Sequence, residues 1–176
     1  MALTPEQVAL LDKVQADAES LHRELSACAR STLLAIGKNL DLGSDEALDG
    51  ALRTAIPLSG GIAGTRKECG ALVGGVMAIG MGLIEYDPKT KTPEERKPVM
   101  KASKQFFRWF EKEIGHATCF DIRDATLGRF YDQADPVEAQ KFDEAGGNAM
   151  CAGIVGKAAR KAAEVILEGR NAKNAA

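Results

Sequence analysis

Three helix starts of one kind recur along this chain, and they constrain its fold more than any other feature. Thr4-Pro5, Thr92-Pro93 and Asp135-Pro136 each place a capping side chain directly before a proline, with Gln or Glu three residues after the cap. Proline suits the first helical position because an N–H there has no partner, while the cap and the Gln or Glu satisfy neighbouring backbone N–H groups. The chain is therefore predicted to begin helices at these three points.

The segments that follow carry apolar residues every three or four positions, as helices with one buried face do. The first stripe, from Leu11 to Ala35, predicts one continuous helix that ends at Gly37, with Cys28 on its apolar face. Residues 86–91 are predicted as a turn and residues 170–176 as a frayed tail. Further helices are predicted at 45–55, behind a cap at Ser44 or Asp45, and at 69–84, 93–114, 136–145 and 151–166.

Alternating apolar and polar residues, the signature of half-buried strands, are absent, so the predicted fold class is all-α. The length of 176 residues suits one domain. We therefore predict a single-domain helical bundle of about five to seven helices over residues 1–176.

Composition excludes several functional classes. With 45% apolar and 27% charged residues, the chain has the balance of a folded globule. The net charge of −2 and the scattered Lys and Arg residues argue against a nucleic-acid partner. The uncharged run from Cys69 to Ile84 is shorter than a membrane span needs, and residues 1–6 do not resemble a secretory signal. We therefore expect no membrane span and a cytoplasmic location.

Four cysteines, at positions 28, 69, 119 and 151, carry the strongest chemical signal. No two lie close in sequence, which excludes a C-x-x-C redox pair, a c-type haem attachment site and the usual paired zinc half-sites. Free cysteines are often plain core residues, and that interpretation stays open. If the four instead share a site, tertiary structure must assemble it, and only a metal centre or disulfide formation would relieve four buried thiolate charges.

The position of Cys69 favours chemistry over packing. It follows the glycine-rich loop Ser59–Gly64 and the charged stretch Thr65–Glu68, and it is predicted to open a helix, as is Cys151. Helix N-termini favour thiolates, so Cys69, flanked by Arg66 and Lys67, is expected to have the lowest thiol pKa of the four. Cys28, on a core face, is expected to react slowly.

The segment Cys69-Gly70-Ala71-Leu72-Val73-Gly74 resembles the C-G-A-x-x-G motif of a redox-active bacterial and archaeal family with four dispersed cysteines, and the resemblance extends over residues 26–167. That family resembles the cysteine-bearing part of split-Soret cytochromes, where four cysteines are considered to hold an iron–sulfur cluster. The resemblance implies that Cys28, Cys69, Cys119 and Cys151 ligate such a cluster. Removal of side-chain bulk at Gly70 would expose backbone N–H groups to the cluster sulfurs. No haem is implied, because the attachment motif is missing.

The remaining candidates have simpler interpretations. Gly70, Gly74 and Ala78 share a helix face, which favours tight helix packing over cofactor approach. The two histidines, His22 and His116, are expected at the surface and not as ligands. A solvated helix face is expected for Asp121, Arg123 and Asp124, and a core or dimer-contact role for Phe106, Phe107, Trp109 and Phe110.

Three functions remain open from the sequence. The leading hypothesis is an electron-transfer protein whose four cysteines bind an iron–sulfur cluster, working with a redox partner protein. The alternative is a metal-free thiol–disulfide protein in which Cys69 acts as the attacking thiolate. The third is a helical interaction module with core cysteines. A homodimer is compatible with all three, and the sequence makes no prediction about enzymatic activity.

Overall fold

The computed structural model describes residues 3–84 and 92–174, and over these residues the chain is all-α, as predicted. The predicted turn at 86–91 lies outside the described residues. A 3₁₀ turn at Ile56–Leu58 follows the third helix. The described residues form eight α-helices: α1 Pro5–Leu25, α2 Cys28–Asn39, α3 Asp45–Ala55, α4 Gly70–Leu83, α5 Pro93–Ile114, α6 Cys119–Leu127, α7 Pro136–Glu144 and α8 Gly147–Asn174.

The helix starts follow the capping chemistry of the sequence. The Thr4 hydroxyl accepts from the Gln7 N–H while the Gln7 side chain accepts from the Thr4 N–H, which completes the predicted capping box. Ser44 caps α3, and the Asp135 carboxylate accepts from two backbone N–H groups of α7. Local sequence therefore fixes where these helices begin.

The first predicted helix is wrong as a single element. α1 ends at Leu25, Ser26 takes a left-handed conformation with φ of 49°, and α2 starts at Cys28. The break lets the two halves of one apolar stripe bury against different neighbours, α1 chiefly against α8 and α2 chiefly against α4. This break raises the number of helices above the range expected.

The helices meet in one apolar core around α8 and α4. A Cβ added at Gly74 would collide with the backbone of Ala29, and one added at Gly75 would lie 2.5 Å from the Phe106 ring. The small residues of α4 therefore serve tight helix packing, the favoured interpretation. Phe106 and Phe110 are fully buried, and Phe107 and Trp109 pack against the core partly exposed.

The C-terminal helix continues beyond the point where a frayed tail is expected. α8 runs through Arg170 to Asn174, and the Arg170 guanidinium donates to the carbonyl oxygens of Gly82 and Asp41. These bonds tie the end of α8 to α4. None of the helices described over 3–84 and 92–174 is long and apolar enough to cross a membrane.

The glycine-rich loop forms a left-handed turn. Residues 60–64 all have positive φ, including Ile62 at 60° and Ala63 at 53°. The Lys67 N–H donates back to the Gly61 carbonyl at 3.0 Å, which closes the turn. Left-handed backbone costs about 1–2 kcal/mol at each residue with a Cβ. The glycines keep that cost to a few positions.

The chain leaves this turn as a short extended segment that pairs with the start of α6. Glu68 and Thr118 form an antiparallel bridge. The Cys69 N–H donates to Ala117 O at 2.8 Å, and the Cys119 N–H donates to Lys67 O at 2.7 Å. Two cysteines far apart in sequence are thereby held side by side.

Replacing Gly61 with Ala tests the turn. Gly61 has φ of 72°, and an added Cβ would lie 2.6 Å from the Lys67 nitrogen. We expect Gly61→Ala to lower the free energy of unfolding by about 1–3 kcal/mol in urea denaturation.

Gly50→Ala is the matched control, because Gly50 lies within α3 and its added Cβ meets nothing within 4 Å. It should leave stability unchanged or raise it by up to about 1 kcal/mol. Equal stability of the two variants would contradict the strained-turn interpretation.

Candidate functional site

One cavity is lined by all four cysteines. It has a volume of about 20 Å³, room for about one water-sized group. All four thiols are free, and Cys69 and Cys119 are each only 8% exposed. Four cysteines that lie far apart in sequence therefore line the same cavity. The lining residues are Cys28, Cys69, Gly70, Ala71, Cys119, Ile122, Arg123, Cys151, Ile154 and Val155.

Three of the four cysteines lie at helix N-termini. Cys28 is the first residue of α2, Cys69 is the N-cap of α4, and Cys119 is the first residue of α6 behind the Thr118 cap. Cys151 lies one turn inside α8, not at its first residue. Cys28 therefore opens a helix instead of lying in the middle of one, because the chain breaks at Ser26.

Gly70 lets two of these helix starts touch. An added Cβ would lie 2.9 Å from Cys28 Cβ and 3.2 Å from the Ala29 nitrogen. Any larger residue would push α2 and α4 apart at the point where they carry Cys28 and Cys69. Gly70 therefore acts through packing of the cavity wall.

Burial controls the thiol chemistry. It raises the pKa of Cys69 from 9.0 to about 12, although the backbone N–H groups of Ala71 and Leu72 lower it. Burial also raises the pKa of Cys28 well above its usual value, and the neighbouring cysteines raise it further. In the metal-free cavity the thiols are protonated at neutral pH.

The prediction that Cys69 has the lowest thiol pKa is wrong. Burial raises the pKa of Cys119 and Cys151 as well, without the large shift of Cys69, and the Arg123 guanidinium lowers both. Arg66, expected to favour a Cys69 thiolate, instead stacks over the Phe130 ring at 4.0 Å, and Lys67 is exposed.

Arg123 is the site residue that the sequence analysis missed. The expected solvated helix face holds for Asp121 and Asp124, which are exposed, but Arg123 is only 4% exposed and lines the cavity. A signal was available, since Arg123 follows Cys119 by four residues and so shares its helix face. A charged residue between two acidic ones nevertheless favoured an exposed interpretation.

The two histidines differ in their environment. His116 is exposed, as expected, whereas His22 is only 3% exposed, contrary to the expected surface position. The apolar stripe of α1 continues past His22 and carries it into the core. Burial lowers its pKa from 6.5 to about 4, and the charges of Arg123 and Arg23 lower it further.

The positions of the candidate metal ligands limit which groups the cavity can bind in this conformation. Within the part of the chain that the structure describes, no three His, Cys, Asp or Glu side chains are grouped tightly enough to hold one metal ion. The cavity lining over the described residues includes neither a carboxylate nor an imidazole. Among the described side chains of this lining, the candidate metal ligands are the four thiols.

A protein-family model matches most of this chain. The family model described as "putative redox-active protein (C_GCAxxG_C_C)" matches residues 26–165, which include all four cysteines. The central part of that motif, G-C-A-x-x-G, has Gly before Cys and Ala directly after it. In this chain Glu68 precedes Cys69, and Gly70 stands between Cys69 and Ala71. No curated protein and no solved structure matches the chain.

Protonation of His22 should destabilise the fold. The pKa of His22 is lower in the folded chain than in the unfolded chain. The stability that neutral His22 contributes to the fold is therefore complete above pH 6.5 and is lost as pH falls toward 4. Between pH 7 and pH 5 we expect a loss of about 2 kcal/mol in the free energy of unfolding, measured by urea denaturation. His22→Leu should lack this part of the pH dependence, while His116→Gln should retain it. A pH dependence shared equally by all three proteins would contradict the assignment.

Substitution of Gly70 should distort the cavity wall. Gly70→Ala is expected to lower the free energy of unfolding by about 1–3 kcal/mol, because the added Cβ overlaps Cys28. Gly80→Ala, in the same helix but with nothing within 4 Å of its added Cβ, is the matched control and should be neutral or stabilising. Thermal unfolding of both variants measures the difference, and equal melting temperatures would contradict the close approach.

Proposed function

Because the chain belongs to the redox-active C_GCAxxG_C_C family, we propose that its four cysteines bind one iron–sulfur cluster used in electron transfer. The observation that carries the proposal is the convergence of Cys28, Cys69, Cys119 and Cys151 on one cavity. Their mutual distance in sequence gives no local reason for that meeting. A core built only for packing has no need to gather every thiol of the chain in one place.

The donor set suits iron–sulfur chemistry. Four thiolates complete the ligation of a [2Fe–2S] or [4Fe–4S] cluster, which when bound supplies a one-electron redox couple. The present cavity of about 20 Å³ would have to widen as the thiols part around the cluster.

The chain's own contribution would be electrostatic. The helices α2, α4 and α6 each begin at a cysteine that lines the cavity, so the positive ends of their dipoles lie next to it. Each ligating thiol must give up its proton, and burial makes that ionisation costly in the metal-free chain. Ligation is therefore expected to strengthen as pH rises.

Thiol–disulfide exchange is the second candidate, and the grouping of four free thiols supports it as well. In that reaction one thiolate attacks a partner's disulfide, the partner's thiolate leaves, and a second cysteine resolves the mixed disulfide. The raised pKa of Cys69, about 12, counts against a resting thiolate there and places this candidate second.

We also propose a redox partner protein and a reducing cytoplasmic setting. A cavity of four free thiols keeps its chemistry only where thiols stay reduced.

Anaerobic purification followed by reconstitution with iron and sulfide tests the proposal. The wild-type chain is expected to show visible absorption with stoichiometric iron and sulfide. Each single substitution among Cys28→Ser, Cys69→Ser, Cys119→Ser and Cys151→Ser should abolish stable cluster binding, because all four cysteines of the chain are in use. Circular dichroism should remain helical, since the core is large enough to stand without metal.

Met150→Leu is the matched control. It removes the thioether next to Cys151 and should leave iron content unchanged. Full iron retention in three or more cysteine variants would contradict the ligand assignment. A colourless wild-type protein that loses free thiols reversibly on oxidation would favour the disulfide candidate instead.

A further inference from the structure

Arg123 places a full positive charge inside the protein beside the thiols. Its side chain lies over the Phe142 ring at 4.3 Å, and one guanidinium nitrogen donates to the Gln133 side-chain oxygen at 2.6 Å. The buried Arg123 Nε atom has no hydrogen-bond partner among the residues that the structure describes. The aromatic face and the amide hold the guanidinium in position, but neither neutralises it.

No carboxylate of the described residues neutralises this charge. Among the described residues Arg123 forms no ion pair with a carboxylate, although nine other ion pairs are present in that part of the chain. The guanidinium charge lowers the pKa of Cys28, Cys119, Cys151 and His22. A buried charge without a counter-charge costs several kcal/mol, so buried cations normally face an anion.

We infer that Arg123 is the fixed counter-charge of the four-cysteine cavity, and that it holds an anionic thiolate-ligated group there and raises its reduction potential. The inference rests on the proposed function for the identity of that group. Four thiolates carry four negative charges, which exceed the net positive charge of the iron–sulfide core that they would ligate. Arg123 is the charged side chain that lines the cavity and offsets the excess.

The same charge would bias electron uptake. Addition of one electron from an external donor makes the group more negative by one charge while no bond to a protein atom forms or breaks. A nearby fixed cation stabilises the more negative state, and it does so strongly where water is excluded. Arg123 thus acts as a positioning residue with an electrostatic effect, and the ligands remain the cysteines.

The test compares Arg123→Met, Arg123→Lys and Arg66→Met with wild type. Methionine keeps most of the side-chain volume and removes the charge, and lysine keeps the charge without the planar fork. Arg66 is the matched control, because both arginines lie over the Phe130 ring, Arg66 at 4.0 Å and Arg123 at 5.4 Å, but Arg66 is not among the residues that line the cavity. All four proteins are reconstituted anaerobically with iron and sulfide and titrated with dithionite.

Arg123→Met is expected to shift the midpoint potential to a more negative value and to lose iron to a ferrous chelator about 10- to 100-fold faster. Arg123→Lys should recover most of the potential, and Arg66→Met should match wild type. If Arg123→Met keeps the wild-type potential and iron retention, the inference is overturned while the proposed function stands.

If the wild type takes up no iron, the proposed function is overturned. The melting temperatures of the metal-free proteins then test the inference independently. Without an anion in the cavity, the counter-charge argument expects Arg123→Met to melt at the same or a higher temperature than wild type. If Arg123→Met melts at a lower temperature than wild type and Arg123→Lys melts at the wild-type temperature, the charge has a purely structural role and the inference is overturned.

Discussion

The pairing of residues 66–69 with residues 117–120 is the contact on which the site depends. It consists of a few backbone hydrogen bonds around the Glu68–Thr118 bridge, yet it sets Cys69 and Cys119 next to each other at two helix starts. Helix packing alone would not fix this register, because side-chain ridges tolerate sliding and rotation. The left-handed turn before it aims the segment toward α6, and α2 and α8 then bring Cys28 and Cys151 to the same place.

Two opposing effects act on these thiols, and their sizes decide the outcome. A helix N-terminus favours a negative charge by about 0.3–1 kcal/mol, or about 2 kcal/mol in partly buried sites. The rise of the Cys69 pKa from 9.0 to about 12 corresponds to about 4 kcal/mol against ionisation. Burial therefore dominates, and the thiols stay neutral until something compensates their charge. Helix-start position alone is a poor guide to cysteine reactivity when the surroundings are dry.

Local chemistry explains why much of the fold was predictable. Caps such as Thr4, Ser44 and Asp135 act within a few residues, so the sequence contains the whole interaction. The break at Ser26 is different, since the apolar stripe continues across it and only the packing of α1 and α2 on separate neighbours demands it. Burial of His22 and Arg123 has the same origin. Their surroundings come from distant segments, which periodicity along one helix does not describe.

Dispersal of the cysteines has a consequence for biosynthesis. The cavity draws its walls from α2, α4, α6 and α8, and α8 packs against α1, α2, α4 and α5. Chains are made from the N-terminus, so the first three cysteines are synthesised well before residues 147–174 can close the fourth wall. During that interval their thiols lack the burial that later keeps them neutral and unreactive. The growing chain thus passes through a stage in which its cysteines are most open to oxidation, and that stage ends only when the long C-terminal helix docks.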